Sequence, residues 1–161
     1  MRIKGLKDED FINYKKPSMF IIFPYCSFKC DKENGCSMCQ NSKLAQEPIH
    51  EISYRDILNR YISNPITEAI VCGGLEPFDT PNELLGLIRA ARDDFGIEDD
   101  IVIYTGYTEE EIEEEWLYDF LAKYKNIIIK FGRFRPNETP HFDEVLGIKL
   151  VSNNQYAKRI E

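Results

Sequence analysis

The sequence predicts an α/β fold with four to five parallel strands, and three observations lead there. Short apolar runs alternate with amphipathic helical patterns between residues 19 and 131, the order of parallel strands joined by helical crossovers. The runs are continuously apolar rather than alternating, as strands covered on both faces are. Glycine or proline punctuates the end of each run.

The elements follow in order. Residues 1–18 form an N-terminal extension. Residues 19–23, Met-Phe-Ile-Ile-Phe, read as a buried strand, and a cysteine-bearing loop follows over residues 24–52. Ser53 caps a helix that carries Ile57, Leu58, Tyr61 and Ile62. Residues 68–72 form a second strand ending at Gly73-Gly74. Thr80-Pro81-Asn82-Glu83 has the composition of a capping box with Pro at the first helical position, opening a helix to Phe95 that Gly96 stops. Residues 101–105 are a third strand. Thr108-Glu109-Glu110-Glu111 is a second capping box, with a helix to Tyr124. Residues 126–131 are a fourth strand and residues 145–151 a fifth. In folds of this order the ligand sits beyond the carboxyl ends of the strands. The loops 24–26, 73–77, 105–107 and 132–134 therefore share one rim.

A chain of 161 residues is one domain with one core. The first residues hold no apolar signal-peptide core, and the longest apolar runs are too short to span a bilayer. These features predict a soluble cytosolic protein. The net charge of −8 repels a phosphate backbone, and no stripe of Lys and Arg interleaved with aromatics offsets it, so nucleic acid is not an expected partner. The acidic run over residues 109–115 reads as the solvated start of a helix, where carboxylates favour the positive end of the dipole. His50 and His141, the two histidines, read as surface groups.

Five cysteines, an odd number, in a chain with no secretion signal argue against a disulfide framework. Cys26, Cys30, Cys36 and Cys39 crowd into the first loop, with three residues between the first two and two between the last two. Cys72 falls inside the second strand and reads as a buried, inert thiol. Thiolates are soft ligands for zinc or iron–sulfur clusters. Composition leaves open a four-cysteine zinc site, a four-cysteine electron-transfer cluster, or a three-cysteine cluster with one iron free for chemistry.

The stretch Cys26-Ser27-Phe28-Lys29-Cys30, closed by Met38-Cys39-Gln40-Asn41, resembles the cysteine signature of the radical S-adenosylmethionine (SAM) superfamily. Within it, the chain resembles the small activating proteins of class III anaerobic ribonucleotide reductase. The family spaces its cysteines C-x3-C-x2-C after the first strand; here eight residues separate Cys30 from Cys39, an insertion that carries Cys36. Gly73-Gly74-Leu75-Glu76-Pro77-Phe78 resembles the family's G-G-E-P element. Residues 101–107, ending Thr105-Gly106-Tyr107, resemble its third strand, and Ser152-Asn153-Asn154-Gln155 its C-terminal Ser-x-Asn-Gln segment.

The resemblance implies a partial (βα) barrel of radical SAM type, since four or five βα units fall short of the roughly 250 residues of a closed eight-unit barrel. It implies a [4Fe–4S] cluster on Cys26, Cys30 and Cys39, with Cys36 as the alternative ligand or a spare thiol. SAM as cofactor would lie against Gly73, Gly74, Glu76, Pro77, Thr105, Gly106 and Tyr107, with Met38 near the adenine. The implied activity is cleavage of SAM to place a glycyl radical on a large partner, anaerobic ribonucleotide reductase, with a low-potential donor such as a flavodoxin supplying electrons. The alternatives are a radical SAM enzyme acting on another glycyl radical enzyme or a small molecule, and a non-enzymatic zinc or iron–sulfur module.

Overall fold

The computed structural model describes residues 1–113 and 116–160. Ten strands and five α-helices follow in the order β1 (Arg2–Ile3), β2 (Gly5–Asp10), β3 (Ser18–Ile22), α1 (Lys29–Asn34), β4 (His50–Glu51), α2 (Tyr54–Ile62), β5 (Ala69–Gly73), α3 (Pro81–Arg89), β6 (Asp100–Tyr104), α4 (Glu109–Glu113), α5 (Trp116–Leu121), β7 (Ile127–Phe131), β8 (His141–Asp143), β9 (Ile148–Leu150) and β10 (Tyr156–Ile160). The expected second-capped helix to Tyr124 corresponds to α4 and α5 but ends earlier, at Leu121, with residues 122–124 in a turn; residues 114–115 lie outside the described residues.

The central sheet has six strands in the order β10-β7-β6-β5-β3-β2. Its four inner strands, β3, β5, β6 and β7, are parallel, and they are the four apolar runs legible in the sequence. β5 and β7 are buried along their whole length. One face packs Met19, Ile21, Ile70, Ile101 and Ile129 against side chains of α2 to α5. The other face packs Val71, Val102 and Ile128 against Tyr14, Leu146 and Leu150, so an N-terminal loop and a hairpin do there what helices do opposite. The sheet is closed at each edge by an antiparallel strand, β2 on β3 and β10 on β7.

The expected fifth strand over residues 145–151 is not part of this sheet. Asp143 turns the chain, accepting the Leu146 N–H on its carboxylate at 2.8 Å and the Gly147 N–H on its carbonyl at 2.7 Å. The result is a small hairpin of β8 and β9, and β10 takes the place beside β7. The N-terminal extension also has structure: β1 pairs with β4, and β2 is the sheet edge.

Ser53 caps α2 as expected, accepting the Asp56 N–H at 3.0 Å, and Thr108 and Glu111 form a reciprocal capping box. Thr80 does not cap α3: its hydroxyl is buried without a partner. Glu83, the other half of that expected box, instead binds the Arg2 guanidinium at 2.6 Å. The α3 helix runs on as a π-helical turn over Ala90–Asp94. Among the described residues no helix is long and apolar enough to cross a membrane.

Candidate functional site

The parallel strands bring four loops to one end of the sheet, and these loops line a cavity of about 280 Å³. Cys26 and Cys30 come from the connection after β3. Gly74, Leu75 and Glu76 come from that after β5, Thr105 and Gly106 from that after β6, and Gly132 and Phe134 from that after β7. Cys39 and Asn41 also line it, as do β9 and the loop before β3 through Ile148, Leu150 and Ile12.

Three of the four clustered cysteines therefore share one cavity. Cys26, Cys30 and Cys39 are half-buried, whereas Cys36 is exposed and lies outside it. The Phe28 N–H donates to the Cys26 sulfur at 3.3 Å, and the backbone N–H groups of Phe134 and Asn41 act to lower the pKa of Cys30 and Cys39. Such bonds stabilise thiolate and tune cluster potentials. Burial nonetheless pushes the Cys26 thiol up to about 12 and raises Cys30 and Cys39, and Cys39 adds repulsion at both of the others. The free thiols are thus protonated at neutral pH, and a bound metal must displace those protons. Among the described residues no three His, Cys, Asp or Glu side chains meet closely enough to hold a single metal ion. Three thiols lining one cavity are a soft donor set of the kind that holds an iron–sulfur cluster. Cys72 is fully buried in β5, away from this group, and burial raises its pKa.

Two charged side chains are buried in the same cavity. Glu76 accepts the Phe78 N–H (3.1 Å), the Thr105 hydroxyl (2.8 Å) and the Gly106 N–H (2.8 Å). Burial outweighs these donors and raises its pKa to about 7. Lys130, on β7, donates to the Gly132 carbonyl at 3.1 Å. Burial lowers its pKa to about 8, against the pull of Glu76 and Cys30. The cavity thus holds one acidic and one basic buried side chain. It is narrow at Gly106, where a Cβ would lie 3.2 Å from the Cys30 sulfur and 3.7 Å from Glu76. Gly74 supplies the bend after β5 at φ +77°, a conformation glycine adopts without strain.

Charged side chains tie the cysteine loop to the rim. Asp79 accepts the Ser27 N–H and the Tyr107 hydroxyl, both at 2.6 Å. The Lys29 ammonium sits 3.8 Å above the Tyr107 ring. Arg133 makes a bidentate pair with Glu111 (2.7 and 2.6 Å) and an ion pair with Glu33 of α1 (2.8 Å). The hydrogen bonds from Arg133 hold the Glu111 carboxyl down at about 2. From the C-terminal segment, Gln155 lines the cavity and Asn154 donates to the Arg133 carbonyl at 2.9 Å.

Of the residues singled out in the sequence, Cys26, Cys30, Cys39, Gly74, Glu76, Thr105 and Gly106 line the cavity. Gly73, Pro77 and Tyr107 stand behind it: Gly73 ends β5, Pro77 starts a 3-10 turn and Tyr107 buttresses the cysteine loop. Met38 is exposed and lies outside the cavity. Gln155, of the C-terminal segment singled out in the sequence, also lines the cavity, whereas the sequence pattern assigned no role to Lys130, Asn13 or β9. Lys130 carried a usable signal, a lone charge inside the apolar run 127–131.

No curated protein and no solved structure matches the chain. A family model does, that of the 4Fe-4S single cluster domain, and it matches residues 18–155. That match begins at the first residue of β3 and ends just before β10, taking in the whole cysteine loop and the four loops at the ends of the parallel strands, so the chain is an iron–sulfur protein and belongs to the 4Fe-4S single cluster domain family.

Proposed function

We propose that the chain is a radical SAM activase that generates a glycyl radical on an anaerobic ribonucleotide reductase. The observation that carries this reading is the presence, in one cavity, of three thiols and two buried side chains of opposite charge, Glu76 and Lys130. The methionine end of SAM is a zwitterion, and a buried charge is stable beside its complement. Glu76 suits the ammonium group, whose charge supplies what burial denies the carboxylate, and Lys130 suits the carboxylate group.

Cys26, Cys30 and Cys39 would hold the [4Fe–4S] cluster and leave one iron open, with Cys36 outside the set. The chemistry the cluster supplies when bound is one-electron reduction of the SAM sulfonium, giving methionine and a 5′-deoxyadenosyl radical that takes hydrogen from a glycine of the partner enzyme. This chain's residues orient and shield: Gly106 permits close approach to Cys30, and Leu75, Ile148 and Leu150 exclude water from one side. In this reading the sheet is an incomplete βα barrel whose open side admits a glycine loop. It also calls for a low-potential donor such as a flavodoxin and for the reducing cytoplasm.

The test is anaerobic reconstitution with iron and sulfide, addition of dithionite and SAM, and chromatography for 5′-deoxyadenosine, with Cys26→Ala as control. Formation by the wild type alone supports the reading. None from a fully reconstituted wild type defeats it and leaves an iron–sulfur binding module without this catalysis. Lys130→Met, of similar length and without the charge, should raise the SAM concentration for half-maximal cleavage about tenfold or more, the worth of one charged hydrogen bond, while the visible absorption of the cluster is unchanged.

A further inference from the structure

Eight residues between Cys30 and Cys39 do not by themselves deliver the second thiol beside the first. Cys36 is nearer in the chain and is exposed, so it is the easier ligand to recruit. The local hydrogen bonds favour Cys39 through one residue. Asp31 sits in α1, one position after Cys30. Its backbone carbonyl accepts the N–H of Gly35, which ends the helix in the left-handed conformation, and that of Cys36 at 3.3 Å. Its carboxylate oxygen Oδ1 then accepts the N–H of Met38 at 3.0 Å and of Cys39 at 2.9 Å. The Ser42 hydroxyl and N–H continue the turn by donating to the Cys39 carbonyl.

Asp31 thus binds both limbs of the insertion. Two consecutive N–H groups on one carboxylate are charge-assisted hydrogen bonds, stronger and more directional than neutral ones. They fix the backbone of Cys39 where its side chain joins Cys26 and Cys30 in the cavity. The same fold turns Cys36 outward, with its sulfur 3.5 Å from the Asn34 carbonyl.

We propose that Asp31 is a positioning residue that selects Cys39 over Cys36 as the third cluster ligand, making the long spacing behave as a short one. The proposal rests on the three-cysteine reading above. It assigns the insertion a definite construction: a helical turn, a capping glycine and a carboxylate latch, with Cys36 displaced to the outside.

The experiment reads thiols rather than activity. Wild type, Asp31→Ala and Asp31→Asn are alkylated with iodoacetamide, both metal-free and after anaerobic reconstitution, and each cysteine is quantified by peptide mass spectrometry. Cys72 reports the fold, because it stays unmodified while β5 is intact. In the loaded wild type, Cys26, Cys30 and Cys39 are protected and Cys36 is modified. Asp31→Ala should lower the protection of Cys39 relative to Cys36 by about tenfold or more in both states, the scale of a lost charged hydrogen bond, and part of the loaded population should protect Cys36 instead. Asp31→Asn keeps an Oδ1 acceptor and should behave close to wild type. If Asp31→Ala exposes Cys72, Asp31→Ser, whose hydroxyl is too short to reach both N–H groups, takes its place. An Asp31→Ala protein (or Asp31→Ser, where it takes its place) that retains the wild-type pattern overturns the role of Asp31 and leaves the three-cysteine reading standing. A loaded wild type that protects Cys36 overturns the three-cysteine reading, and the proposal with it.

Discussion

Cys26→Ala, Cys30→Ala and Cys39→Ala each abolish cluster incorporation, whereas Cys36→Ala and Cys72→Ala leave it intact. Iron and acid-labile sulfide after anaerobic reconstitution, with the brown charge-transfer absorption, are the measurements. The expectation follows from placement. The three half-buried thiols line one cavity, and the Cys26 sulfur accepts the Phe28 N–H. Removing one leaves two protein ligands and an alanine methyl facing the cluster, with no other thiol lining the cavity. Cys36 is exposed and its loss touches nothing buried. Cys72 has no metal role, and its loss removes one sulfur from the core at a cost of about 1 kcal/mol. Retention of full iron by Cys39→Ala, with loss in Cys36→Ala, would reverse the ligand assignment. Metal binding displaces the protons that burial keeps on these thiols, so iron affinity should also rise with pH.

How much of this was legible in the sequence differs by layer, for physical reasons. The inner strands were legible because burial on both faces imposes an unbroken apolar run. The edges were not: β2 reads Gly-Leu-Lys-Asp-Glu-Asp, a half-exposed composition with little strand signal, and its pairing with β3 is set by tertiary packing. Thr80 and Glu83 matched a capping pattern, but Arg2, distant in sequence, takes the glutamate carboxylate, and the Glu83 N–H donates to the Thr80 carbonyl rather than to its hydroxyl. The cysteines stood out because their chemistry is rare and their spacing local. Lys130 stood out only as a lone charge, because nothing in Ile-Ile-Ile-Lys-Phe says that the lysine faces a cavity rather than water. That depends on the loops of three other strands. Met38 shows the opposite error, a plausible neighbour of Cys39 turned outward by the fold of the insertion.

Asp100→Ala should be among the most destabilising single changes outside the site, at about 3 kcal/mol, which corresponds to a fall of about 10 °C in Tm for a chain of this length. Asp100 opens β6 and is buried. Its carboxylate accepts the Tyr14 hydroxyl at 3.0 Å and the Lys16 ammonium at 2.6 Å and pairs with the Arg159 guanidinium at 2.8 Å. One side chain thereby fastens the loop before β3 and the strand β10 to the middle of the sheet. Alanine leaves the buried Tyr14 hydroxyl unsatisfied and two cations facing each other. Lys16 and Arg159 are partly exposed, and solvent screening holds the loss below that of a fully buried triad. The electrostatic share has a pH signature. Burial opposes ionisation of Asp100, but the bonds from Lys16, Arg159 and Tyr14 outweigh it and lower its pKa below the ordinary 3.8. A depressed carboxyl stabilises the fold above its unfolded pKa and loses that contribution as pH falls through the folded value. The difference in unfolding free energy between wild type and Asp100→Asn, measured by urea titration, should therefore be full at neutral pH and shrink only below about pH 4. A difference that stayed constant down to strong acid would mean that shape and hydrogen bonding, rather than charge, hold the two ends of the chain to β6.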